Sequence, residues 1–195
     1  MQENFNKLIE SRIQEAIGIQ RKLLSETETI SNIARLLIEA YRNGKKVVLF
    51  GNGGSAADAQ HIAAELLGRF YLERKPLPVE ALSVNTSLLT AIGNDYGFDQ
   101  VFSRQIDALG NSGDVAIGIS TSGNSPNVLE AIRLARRKKM KTVGLTGDNG
   151  GQLKAEAEYC ICVPSRETPR IQEVHILIGH ILCEIVEKAL FGNVS

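Results

Sequence analysis

The sequence has no charge of one sign to spare: 22 basic residues stand against 22 acidic ones. That balance offers no bulk attraction to nucleic acid or to an anionic membrane. Any phosphate this chain holds must be held by local geometry. No stretch approaches the ~20 apolar residues that cross a bilayer. Met1-Gln2-Glu3-Asn4 lacks the basic start and apolar run of a signal peptide, so the expected location is the cytoplasm. Cysteine is scarce. Cys160, Cys162 and Cys183 are odd in number and form no CxxC, which argues for reduced thiols rather than a disulfide framework. Linkers, low-complexity runs and internal repeats are all missing.

What is present is an alternation of helix and strand. Over 1–43, Phe5, Ile9, Ile13, Ala16 and Leu23 recur at helical steps. A second stripe runs through Ile30, Ile33, Ala34, Leu37, Ile38 and Tyr41 and stops at Asn43-Gly44. These two stripes need a cover, either the last helix or another subunit. From 45 onward, short apolar runs at Lys46–Phe50, Pro78–Ser83, Asp114–Ser120, Lys141–Thr146 and Tyr159–Val163 read as strands. Helical segments near 55–69, 85–93 with 98–109, 126–139 and 151–156 lie between them, and a long helix runs from about Pro169 to Leu190. Apolar strands alternating with helices mean a parallel sheet covered on both faces. The expected architecture is α/β: five parallel strands, doubly wound in the flavodoxin-like order 2-1-3-4-5, preceded by a helical pair. The 195 residues suit one such domain, with 1–43 available for oligomerisation and 45–195 forming the core and last helix.

Two strand ends carry unusual loops. The first is Gly51-Asn52-Gly53-Gly54-Ser55, followed by a helix. Glycines let backbone approach a ligand, and free amides at a helix start favour an anion or a polar sugar group. It is neither G-x-G-x-x-G nor a P-loop, because the P-loop lysine is missing; a plain strand-to-helix turn would look much the same. The second is Ser120-Thr121-Ser122-Gly123-Asn124-Ser125, with Pro126 opening a helix. One hydroxyl suffices as an N-cap; four point to an oxygen-rich ligand such as a phosphate ester. In the order 2-1-3-4-5 both loops fall at the topological switch point, where open α/β sheets bind ligands.

His61 and Glu65 are four apart on the helix after the first loop, hence on one face. Gln172 and His180 share a broad face of the last helix. Two imidazoles, a carboxylate and an amide oxygen suit a divalent metal, zinc above all. The same groups also suit proton chemistry without metal, and a His–Glu pair at this spacing is commonly a surface pair. The alanine-rich surroundings of His61 indicate close packing and favour a functional role.

Five stretches, GNGGSAADAQHIAAELLGRF (51–70), AIGNDYGFDQVFSRQ (91–105), GDVAIGISTSGNSPNV (113–128), LTGDNGG (145–151) and RIQEVHILIGH (170–180), together resemble the phosphoheptose isomerase family of the sugar-isomerase (SIS) superfamily. The resemblance spans nearly the whole chain. It implies conversion of sedoheptulose 7-phosphate to D-glycero-D-manno-heptose 7-phosphate, the first step toward nucleotide-activated heptose. It also implies a homotetramer with interfacial active sites and one zinc per subunit on His61, Glu65, Gln172 and His180. Substrate contacts fall on Asn52, Gly53, Gly54, Glu65, Asn94, Asp95, Ser120, Thr121, Ser122, Ser125 and Gln172, with Ser55 and Arg69 as further candidates. Some relatives carry an aspartate where this chain has Thr168-Pro169, which leaves the four metal-type positions untouched.

Aldose–ketose isomerisation moves a proton between C1 and C2 through an enediol. Glu65 is assigned as the base at carbon and His180 as the acid–base partner at oxygen. A zinc-bound carboxylate is a weakened base, so Glu65 has to shift between the two roles. The rival from another class is a non-catalytic tetrameric binding protein of the same fold, such as a factor associated with a replication initiator. That rival needs neither Glu65 nor His180, and this chain has both.

Overall fold

The computed structural model of the chain describes residues 5–192. Two helices come first, α1 (Phe5–Lys22) and α2 (Thr27–Arg42), joined by a 3₁₀ turn at Leu23–Glu26. The stop at Asn43-Gly44 is as read: the Asn43 amide donates to the Glu39 and Ala40 carbonyls, and the Gly44 amide to Tyr41. Five strands follow, β1 (Val47–Gly51), β2 (Val79–Ala81), β3 (Val115–Ile119), β4 (Lys141–Thr146) and β5 (Tyr159–Cys162). All pair in parallel in the order β2-β1-β3-β4-β5, the doubly wound order expected. The connecting helices are α3 (Gly54–Leu67), α4 (Thr86–Tyr96), α5 (Ser103–Leu109), α6 (Pro126–Arg137) and α7 (Leu153–Glu156), and α8 (Thr168–Phe191) ends the fold.

Strand residues alternate between two cores. Val47, Leu49, Ile117 and Leu145 pack with residues of α2, α3 and α8, whereas Val48, Phe50 and Ala116 pack with residues of α4, α5, α6 and α7. This two-residue period on a sheet buried on both faces explains why the strands read as continuous apolar runs. Buried Asp114 ties the start of β3 to β1 by accepting from the Lys46 amide (3.1 Å) and ammonium (2.6 Å). The second strand is shorter than its apolar run, pairing only over Val79–Ala81. Beyond Leu82 the chain turns so that Asn85 caps α4, its side chain accepting from the Leu88 amide at 3.0 Å.

The two N-terminal stripes part company. On α2, Ile30, Ile33, Ala34, Leu37 and Tyr41 are buried in the core that includes α8. On α1 only the last turns are covered; Phe5, Ile9 and Ile13 stay 54–61% exposed. The last helix therefore covers the second stripe and leaves most of the first to solvent.

Candidate active site

The site is assembled from two groups. The first sits at the switch point between the ends of β1 and β3. The Asn52 and Asn127 side chains exchange two hydrogen bonds of 2.9 Å, locking the two loops together. The amides of Ser55 and Ala56 turn back onto the carbonyls of Asn52 and Gly53. The set of free amides is thus narrower than the sequence suggests. Gly54 is glycine for a local reason: a Cβ there would overlap the Gln172 side-chain amide, which lies directly over it.

On the β3 side the hydroxyls face one another. Ser125 stands at the N-cap of α6, yet its side chain makes no cap bond. Its Oγ is 2.9 Å from Ser120 Oγ, which is 3.4 Å from Ser122 Oγ. Three hydroxyls that could each bond elsewhere are gathered into one preformed polar cradle. Gly123, at φ 66°, makes the sharp turn, and a Cβ on it would run into the Gly150 carbonyl.

The second group lies on the packed faces of α3 and α8. His61 Nε2 is 3.2 Å from His180 Nε2 and 3.3 Å from Glu65 Oε1. Ligand atoms ~2.0–2.2 Å from a tetrahedral ion lie about 3.3–3.5 Å from each other. The spacing therefore fits a metal, and one atom of each of the three residues lies within 4.8 Å of the others. Asp58, one turn before His61, gives a second indication. Its Oδ2 is buried with no partner among the described residues. Burial pushes its carboxyl up to about 6, and His61 pulls it partly back. A cation held by the three converging atoms would supply positive charge on this face. Gly179 permits the close helix contact, since a Cβ there would stand 2.6 Å from Ile62.

A buried ion pair fixes the outer end of this group. Glu187 and Arg74 side chains are each 1% exposed. Glu187 accepts from the amides of Phe70 (2.9 Å), Tyr71 (2.7 Å) and Leu72 (2.9 Å) and from Arg74 Nε (3.0 Å). Burial alone would raise the Glu187 pKa, but these four donors outweigh it and hold the carboxylate below its usual range. Arg74 in turn donates to the carbonyls of Glu65 and Leu66, both at 2.8 Å. The Phe70 ring, held by this pair, lies 5.8 Å from the His180 ring.

The sequence-derived residues therefore divide. Asn52, Gly53, Gly54, Ser55, Ser120, Thr121, Ser122, Ser125 and Gln172 belong to the strand-end loops and the helix starts beside them. His61, Glu65 and His180 converge separately. Seven to eleven residues separate Gly54 from His61 and Glu65, or about 10–16 Å along the helix. Glu65 and His180 thus do not face each other across the switch-point crevice; they sit beside His61, farther down the same helix pair. Gln172 is about 12 Å from His180 along α8 and stands with the cradle, because its amide lies on Gly54. Asn94 and Asp95 pair with each other at 2.8 Å on exposed α4, and among the described residues no hydrogen bond or ion pair joins them to either group. Asp58, Asn127, Arg74 and Glu187 escaped the sequence reading. Only a three-dimensional contact reveals them, since each is an ordinary polar residue in its own segment.

Comparison with known proteins accords with this geometry. The SIS domain family profile matches residues 13–147. The phosphoheptose isomerase of Aneurinibacillus thermoaerophilus is 53% identical over 191 residues, covering 96% of each chain. The solved phosphoheptose isomerase GmhA from Neisseria gonorrhoeae is 42% identical with a TM-score of 0.90, covering 95% of this chain and 100% of that one. A phosphoheptose isomerase from Francisella tularensis is 38% identical with a TM-score of 0.91, covering 95% and 99% respectively.

Proposed function

We propose, for a chain that belongs to the SIS domain family and within it to the phosphoheptose isomerases, that its reaction is the conversion of sedoheptulose 7-phosphate to D-glycero-D-manno-heptose 7-phosphate in the cytoplasm, opening nucleotide-activated heptose synthesis. The observation that carries this reading is the convergence of His61, Glu65 and His180 on the helices that also frame the hydroxyl cradle. Ser120, Thr121, Ser122 and Ser125 hold the phosphate and set the register of the distant reacting carbons. Gln172 and Asn52 meet the sugar where the cradle opens. Asn94, Asp95 and Ser55 join the substrate contacts on the strength of the family pattern.

Glu65 takes the proton from C1 of the ketose and returns it at C2. His180 moves the second proton between the two oxygens, leaving an enediol between the steps. In D2O the aldose should carry carbon-bound deuterium at C2; unlabelled product would point to a hydride shift instead. Zinc is the proposed metal, one per subunit, held by His61, Glu65 and His180, where it would supply Lewis-acid polarisation of substrate oxygens. Three protein ligands leave the open position that catalytic zinc sites keep, and Gln172 is then freed for substrate. Metal analysis should give about one zinc per chain, with activity lost to chelator and restored by zinc. Full rate in metal-free protein would leave an acid–base site alone.

Two observations support a homotetramer with interfacial sites. The cradle and the metal group are separated along α3, and the α1 stripe of Phe5, Ile9 and Ile13 is left uncovered. A separate apolar groove lies between α8 and the turn after α1, lined by Leu23, Leu24, Ile181 and Ile185. The expected mass in solution is that of four chains. Mixing inactive Glu65→Gln subunits with inactive Ser122→Ala/Ser125→Ala subunits should restore part of the activity if sites form between chains. No recovery would place each site within one chain. The rival reading, a non-catalytic binding protein of this fold, leaves the converging triad unexplained.

A further inference from the structure

Of the three histidines, His175 alone stands outside the converging group. It is 0% exposed, on α8 between Gln172 and His180, about 4.5 Å along the helix from the first and about 7.5 Å from the second. Its Nε2 is 3.2 Å from the Thr146 carbonyl at the end of β4. A carbonyl only accepts, so the ring is the Nε2–H tautomer. Its Nδ1 is buried with no hydrogen-bond partner among the described residues. Burial pushes the imidazole down to about 4, against the upward pull of the Thr146 bond, so the ring is neutral. A buried polar ring held by one hydrogen bond contributes little to stability. An apolar side chain would fill the space with no polar atom to desolvate.

The bond falls on a peptide that grips the cradle. The Thr146 carbonyl and the Gly147 amide belong to one planar unit. Its C=O accepts from His175 and from the Val163 amide at 2.9 Å, and its N–H donates to the Thr121 carbonyl at 3.0 Å. One donor on the carbonyl leaves the plane free to tilt about that bond, whereas two donors from different elements fix it. A tilt matters because Gly147 is hemmed in: a Cβ there would stand 2.7 Å from both the Thr121 carbonyl oxygen and Ile171 Cδ1. Ile171 adjoins Gln172 on α8, whose side-chain amide lies over Gly54. The Thr146 side chain reaches the cradle as well, since a Cβ on Gly123 would stand 2.8 Å from Thr146 Oγ1.

We infer that His175 is a positioning residue for the phosphate cradle: its bond to Thr146 keeps the Gly147 amide on the Thr121 carbonyl and keeps that loop in register with α8. The inference rests on the phosphate reading of the cradle. Ser120, Thr121 and Ser122 lie on the segment that Gly147 grips, and Gln172 and His180 lie on the helix that carries the ring. An anchored phosphate orients the distant carbons only if that segment and that helix keep one spacing. His175 is the α8 side chain that hydrogen-bonds to the gripping peptide. Removing this donor strands no acceptor, because the Thr146 carbonyl keeps its Val163 partner, so the fold should survive the loss.

The experiment compares the full-length wild type with His175→Leu and His175→Gln. The apparent Kd for inorganic phosphate, read by thermal shift, should be about three- to tenfold higher in His175→Leu, the weight of one hydrogen bond. The Tm without phosphate should stay within about 5 °C of wild type, and KM for sedoheptulose 7-phosphate should rise by the same factor as the phosphate Kd. His175→Gln keeps an N–H donor at similar reach and should recover most of the loss. His175→Asn, whose amide stops short of the carbonyl, carries the same comparison should His175→Leu not fold. Nitrogen-15 NMR of the wild type near neutral pH should show His175 as the Nε2–H tautomer. An Nδ1–H tautomer, or equal weakening in His175→Leu and His175→Gln, would overturn the positioning role. Wild type and His175→Leu that bind phosphate equally well would overturn the inference alone. A folded wild type that binds no phosphate would overturn the cradle reading and the inference together.

Discussion

Glu65→Gln is expected to fold normally and to lose isomerase activity by about 10²–10⁴-fold, the range that a positioned acid–base group contributes. The side chain is 27% exposed, beside His61 on the face of α3 rather than in the core, so an isosteric amide should cost little stability. What it removes is the only carboxylate among the three converging residues. The loss should fall on kcat, with little change in KM, because the cradle hydroxyls are untouched. His180→Gln is expected to lose activity over a similar range. Far-ultraviolet circular dichroism and thermal unfolding check the fold; steady-state kinetics with the heptulose phosphate check the rest. Activity within threefold of wild type would remove Glu65 from the proton-transfer role.

The second large effect is on stability. Glu187→Ala leaves Arg74 buried without its partner, and breaking a buried pair from one side costs about 3–5 kcal/mol. For a chain of this size that lowers Tm by roughly 6–20 °C. It also strips acceptors from the amides of Phe70, Tyr71 and Leu72, so the segment after α3 loosens and His180 loses its aromatic neighbour. The Arg74→Met/Glu187→Leu double variant should cost less than the sum of the single losses, since neither charge is then stranded. The pH dependence has a definite sign. The folded-state pKa of Glu187 is depressed, so its contribution is complete above the ordinary glutamate range and disappears as pH falls through the depressed value. The gap in Tm between wild type and Glu187→Ala should therefore shrink in acid. A gap that stays constant down to pH 2 would assign the loss to packing alone.

Much of this was legible before any coordinates. The strands were readable because a parallel sheet buried on both faces makes unbroken apolar runs, as at Lys141–Thr146, where the expected and observed bounds coincide. The strand–helix alternation suited the order 2-1-3-4-5 without dictating it, and in that order both loops lie at the switch point. His61 and Glu65 were readable as one face because helical spacing is local. The meeting of that face with His180 is not local. It depends on α3 packing against α8, which Gly179 permits, and no spacing rule encodes it. The same holds for Arg74 and Glu187, separated by 113 residues. Gln172 shows the reverse: its type and face suggested a place with His180, but a rise of about 12 Å along α8 sets it over Gly54. The exposed half of α1 was legible only as a stripe in need of a cover, and the described residues do not supply that cover.

The direct test is to incubate purified protein with sedoheptulose 7-phosphate and zinc, and to follow the sugar carbons by NMR. The account predicts the appearance of D-glycero-D-manno-heptose 7-phosphate with wild-type protein and none above background with Glu65→Gln. Unchanged substrate with folded, zinc-loaded wild type would contradict it.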